Sequence, residues 1–168
     1  MFPLINYHEI DADMLCKYIE QKIHTELRNH VLLAKEYVYQ HLYHASACTT
    51  SFELLGMLLS KIEEELECVF RKETLILFPL AKTKEEKLPG NALGWTEKIP
   101  VYHTKLLNLV GKMRQLTHNY QIKQEWTSAA KLGVNELYEF DYHLQNWLQL
   151  EQAILFPKLQ KLSLSANN

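Results

Sequence analysis

Apolar residues recur every three or four positions along four stretches of this chain, the spacing that lines one face of an α-helix. The first stretch carries Leu15, Ile19, Ile23, Leu27, Val31, Ala34 and Val38. The second carries Phe52, Leu55, Leu59, Ile62, Leu66, Val69, Ile76 and Leu80. A third begins near Thr96 and runs through Val101, Leu106, Leu109, Val110 and Met113. A fourth runs from Trp126 through Ala129, Leu132, Leu137, Phe140, Leu144, Trp147, Leu148, Ile154 and Leu155. Asp11 or Asp13 is placed to cap the first helix, and Thr49, Thr50 or Ser51 the second, because a short polar side chain there accepts from an unpaired first-turn amide. Pro100 falls in about the first turn of the third helix, where a missing N–H is tolerated. Gly111 weakens that pattern without ending it. No stretch alternates with period two for long enough to make a strand.

The charged segment KTKEEKLPGNALG, residues 82–94, holds Pro89, Gly90 and Gly94 and reads as one long connection between two similar halves. The closing SLSANN reads as a frayed end. Four long helices with short loops and one longer one predict an all-α, up-down-up-down four-helix bundle. The 168 residues make one domain, 1–168, with its core over about residues 11–160. The halves also share a short repeat: Glu73-Thr-Leu-Ile-Leu-Phe-Pro79 and Glu151-Gln-Ala-Ile-Leu-Phe-Pro157 have the common pattern ExxILFP, near the ends of the second and fourth helices.

Composition removes several function classes. Net charge is −2, from 18 basic and 20 acidic residues, whereas a nucleic-acid binder should carry a basic excess. No apolar run approaches the ~20 residues of a membrane span, so no membrane partner is expected. The start, MFPLINYHEIDAD, shows no signal peptide, and Cys16, Cys48 and Cys68 have no CxxC spacing. Both point to a reduced, cytoplasmic protein. There is no GxSxG, phosphate-binding loop or HExxH, and Cys48 and Cys68 have no activating partner in sequence, so a hydrolase or transferase is disfavoured.

The chemistry lies in two acids. Glu73 sits on the apolar stripe of the second helix and Glu151 on that of the fourth. A carboxylate on a core face is costly unless paired, protonated or bound to a metal. Two at equivalent positions should meet in the bundle centre, where their repulsion protonates one unless cations lie between them. His24 lies beside the stripe of the first helix and His103 one turn into the third, so those helices can supply imidazoles to a carboxylate-bridged metal site. His44 and His41, at the end of the first helix, are further candidates, His41 the weaker. His30, His118 and His143 read as surface or boundary residues and His8 as amino-terminal tail.

These segments resemble the hemerythrin-like (HHE) family, most closely its RIC-type di-iron proteins for repair of iron centres. The likeness spans roughly Leu15 to Leu159 and rests on LCKYIEQKIHTELR, ELECVFRKETLILFP, KIPVYHTKLL and LQLEQAILFP. It implies non-haem iron, one or two ions, at His24, Glu73, His103 and Glu151, with His44 as a further ligand if one residue is deleted within the first helix. The glutamates would bridge or flank the metal, the histidines would be terminal ligands, and an open position would take a small ligand such as a diatomic molecule or peroxide. The implied role is in oxygen, nitric-oxide or iron-stress response, with a homodimer as an open alternative to a monomer. The family places a histidine four residues before each glutamate, and here those positions hold Val69 and Trp147. Such i, i+4 pairs chelate naturally on a helix face, so their loss predicts one ion, two ions with extra water ligands, or a packed metal-free core. The alternative function is a metal-free bundle acting through its surface as a partner-binding or structural module, for which Tyr37, Tyr39 and Tyr43 offer an interface.

Overall fold

The computed structural model describes residues 6–44, 50–82 and 93–165, and among these it contains helices and no strand. Helix α1 is continuous through Ala12–Tyr18, a π-helical turn Ile19–Ile23, and His24–His44. Helix α2 runs through Thr50–Lys72 and a π turn Glu73–Leu77, then tightens into a 3-10 turn Phe78–Ala81. Helix α3 is Leu93–Leu116, and α4 runs through Ser128–Leu150, a π turn Glu151–Leu155, and Phe156–Ser165. The start of α1 touches the ends of both α2 and α4, so its neighbours run antiparallel to it, and α3 packs on α2. This is an up-down-up-down four-helix bundle around one apolar core. No described helix is long and apolar enough to cross a membrane.

The caps follow the expected chemistry. Asp11 accepts from the Met14 amide at 2.8 Å at the head of α1, and Thr127 accepts from the Ala130 amide at the head of α4. The second helix begins at Thr50, and Thr49 and Cys48 lie outside the described residues. So do residues 83–92 of the long connection and the last three of the closing segment, while α4 stays helical through Ser165. Helix α3 starts before the expected Thr96, which makes Pro100 an interior residue rather than a first-turn one. The Thr104 hydroxyl donates to the Pro100 carbonyl at 3.0 Å. At Gly133 a Cβ would stand 3.2 Å from the Tyr37 Cβ, so the missing side chain allows the close approach of α4 to α1.

The three π turns shift the helix register, and the repeated motif encodes two of them. In each ExxILFP copy the π turn is the ExxIL segment. Pro79 and Pro157 have no N–H to give to the carbonyl four residues back. The preceding Phe78 and Phe156 amides instead reach five residues back, to the Glu73 and Glu151 carbonyls. One extra residue per turn moves the buried stripe on by one, so Leu77 is buried in α2, not the expected Ile76. In α1 the same shift turns Ile23 partly outward and carries His24 fully into the core.

Candidate metal centre

Glu73 and Glu151 meet in the bundle, as their places on the stripes require. Both are 0% exposed, and His24 and His103 beside them are each 1% exposed. Among the described residues, Glu73, His103 and Glu151 offer ligand atoms that all lie within 4.8 Å of one another. His103 Nε2 stands 3.3 Å from Glu151 Oε2 and 3.6 Å from Glu73 Oε1. The second oxygen of Glu73 is engaged elsewhere: Oε2 lies 2.8 Å from His24 Nε2, in hydrogen-bonding geometry. Glu73 thus links the imidazole of α1 to the cluster between α2, α3 and α4.

Aromatic rings close the site. The Phe70 ring stacks on His24 at 3.8 Å between centroids and 19° between planes. Trp147 meets both histidines edge-on or tilted, 5.8 Å from His24 and 5.2 Å from His103, and packs on Phe70 at 5.4 Å. Trp147 therefore fills the core volume against the two imidazoles. Val69 is fully buried.

Polar satisfaction in this apolar shell is incomplete. Glu73 Oε1, both Glu151 oxygens, both His103 ring nitrogens and Trp147 Nε1 are buried with no hydrogen-bond partner among the described residues. Buried polar groups are normally paired, so these unpartnered atoms, with one from each of Glu73, His103 and Glu151 gathered within 4.8 Å, need a reason. A divalent cation supplies one: it is attracted to both carboxylates and takes lone pairs from oxygen and imidazole nitrogen. A proton supplies a weaker one. The Glu73 carboxyl is pushed well above its ordinary range, first by burial and then by the charge of Glu151, with which a protonated Glu73 shares a hydrogen bond. His24 is pushed down to about 3, by burial and then by the Arg28 charge, so it is a neutral imidazole, the form that binds metal. The donor set present fits a divalent ion, and at least one histidine and two carboxylates are already gathered for it.

The structure brings together His24, Glu73, His103 and Glu151 from the expected residues, and it removes His44. His44 is exposed at the far end of α1, its ring against Tyr43. The 21-residue segment His24–His44 spans ~30 Å, so no one-residue adjustment brings both rings to one ion. His41 is buried but lies at that same far end, with Nδ1 at 2.8 Å from the Thr127 hydroxyl. His30 and His143 stack at the bundle boundary and His30 pairs with Glu136 at 2.8 Å, while His8 and His118 are exposed. Tyr39 and Tyr43 are exposed and Tyr37 half-buried.

Three features of the site were not read from sequence. The π turns that begin at Glu73 and Glu151 had a signal in the paired FP steps that follow, while the one that carries His24 inward had none. Phe70 as the ring stacked on His24 had none, since neighbouring Val69 carries the stripe. Cys16 is buried and close enough to Glu151 and Glu73 for their charges, with burial the larger cause, to push its thiol far up. Cys68 also has a partner four residues on, the Lys72 ammonium 3.0 Å from its sulfur. A scan of protein-family models finds none that matches this chain, and a search of curated proteins finds no match either.

Proposed function

We propose that this chain is a hemerythrin-like non-haem iron protein with a reduced, single-ion site, acting in the response to oxygen, nitric oxide or iron stress. The carrying observation is the buried trio Glu73, His103 and Glu151, whose converging oxygens and nitrogens have no partner among the described residues. Two carboxylates and neutral imidazole, with no thiolate in the group, suit iron(II) or manganese(II) better than a soft ion. Bound iron would supply redox chemistry and an open position for a diatomic molecule. The chain's own residues do the rest. His24 holds the outer oxygen of Glu73 and so orients its inner oxygen. Phe70, Val69 and Trp147 keep bulk water out. Binding requires the proton on Glu73 to leave, so affinity should rise with pH.

Anaerobic calorimetric titration of chelator-treated protein with iron(II) or manganese(II) tests this. We expect one ion per chain, proton release on binding, and loss of binding in Glu151→Gln. A second reading has its own support: Trp147 is 1% exposed and touches both imidazoles, as a side chain packed into a former metal space would. Under it the bundle is metal-free and works through its surface. Titration without heat or bound ion would decide for it.

A further inference from the structure

A cleft of about 610 Å³ opens on the surface beside the metal centre, between the amino-terminal segment, α1 and α4. Tyr7, Tyr18, Ile23, Tyr142, His143 and Trp147 are among its walls. Trp147 belongs to the cleft and to the centre at once: it lines the first, and in the second its ring stands against His103 and His24. It also lies one helical turn before Glu151 on the same face of α4. The far lip of the cleft is fixed in place. The Tyr7 hydroxyl lies 3.3 Å from that of Tyr18, and Lys158 Nζ donates to the His8 and Ile10 carbonyls at 2.9 and 2.7 Å.

We infer that this cleft is the mouth of the buried carboxylate site and that Trp147 is the plug in it, a specificity-determining residue that passes uncharged molecules of diatomic size and holds back hydrated ions and chelators. What is admitted rests on the metal reading above; the plug itself rests on the cleft and the ring contacts. An indole wall is apolar over most of its surface, so a charged molecule crossing it sheds water without compensation. A small neutral molecule crosses on side-chain fluctuations alone. The tyrosine hydroxyls and His143 at the mouth keep the outer cleft wetted, and the change from wet to dry falls at Trp147.

Cys16 serves as a reporter of access, because it is buried and does not line the cleft, and the charges of Glu151 and Glu73 are among those that act on its thiol. The full chain, treated with chelator, is reacted with methyl methanethiosulfonate, a small neutral thiol reagent, and Cys16 is followed by peptide mass mapping. Trp147→Ala should accelerate its modification roughly tenfold or more, and Trp147→Phe much less. Leu137→Ala, a core truncation further back along α4, controls for general loosening, with each variant compared at the same interval below its own melting temperature. Equal acceleration by Trp147→Ala and Leu137→Ala would overturn the plug. If Trp147→Ala does not fold, Trp147→Leu takes its place with the same criterion. A second arm loads the chain with cobalt(II) and times its loss to excess EDTA. Trp147→Ala should shorten the half-time by a similar factor, and an unchanged half-time would overturn the cleft as the mouth. A wild-type chain that takes up no cobalt(II) overturns the metal reading, while the Cys16 rates still decide the plug.

Discussion

Glu73→Gln should stabilise the metal-free protein at high pH and leave it nearly unchanged at low pH. Glu73 is fully buried and its carboxyl is raised well above the ordinary value of 4.5, first by burial and then by Glu151. The folded chain therefore keeps a proton that the unfolded chain releases above about pH 4.5. With more protons bound in the folded state, stability falls as pH rises, from the unfolded value up through the folded one. Each pH unit of that window is worth about 1.4 kcal/mol. For a chain of this size that is roughly 3–6 °C in melting temperature. His24 works the other way: folding holds it neutral, so its contribution is lost as pH falls from about 6.5 toward about 3. Cys16 adds a loss of its own only above its ordinary 9.0. Both of these contributions are shared by the wild type and the variant, so the difference between the two isolates Glu73, and it grows as pH rises above about 4.5. Gln is isosteric, stays neutral throughout and can still bond His24 Nε2. Melting followed by circular dichroism in excess chelator should show the variant gaining on the wild type as pH rises above about 4.5. Adding iron(II) should reverse the order, because the ion stabilises only a folded state that can bind it. A difference between wild type and variant that does not grow as pH rises above about 4.5 would refute the buried, protonated Glu73.

Three further substitutions test other parts of the structure. The double variant Val69→His/Trp147→His places an imidazole one turn before each glutamate and should bind more metal per chain by elemental analysis, while its metal-free form loses about 3 kcal/mol or more with the indole. His118→Gly should raise stability by about 0.5–1 kcal/mol in urea titration, because His118, Asn119 and Tyr120 all hold positive φ, His118 at 48°, and an exposed residue there gains by losing its Cβ. Asp141→Ala should lose about 2–3 kcal/mol in the same titration, since Asp141 takes Arg114 at 2.6 and 2.7 Å, the Tyr120 hydroxyl at 2.5 Å and Gln145 at 2.8 Å; the Arg114 head is partly exposed and regains water, which limits the loss.

The bundle and its two central acids were legible because periodicity reports burial directly, and Glu73 and Glu151 broke an apolar stripe at matching places. Local backbone shape was less so. The 3.6-residue period extrapolates through Ile23 and Ile76, but the π turns hand the buried places to His24 and Leu77, and periodicity cannot see a change of period inside one helix. The left-handed turn at His118–Tyr120 contains no glycine, and its only mark in the sequence is the His118-Asn119 pair, two residue types that tolerate positive φ. His44 failed because matching a motif by deleting a residue ignores the rigid rise of a helix. The Asp141 network escaped because Phe140 and Leu144 carry the stripe and Asp141 lies at its edge, buried only through partners from another helix and a loop.

Anomalous diffraction at the iron edge, from crystals of the full chain grown anaerobically with iron(II), tests the metal site most directly. A single peak within bonding distance of Glu73, His103 and Glu151, absent from Glu151→Gln crystals, is the predicted result. No peak between these carboxylates, with Glu73 still against His24 and Trp147 still seated against both rings, would contradict it.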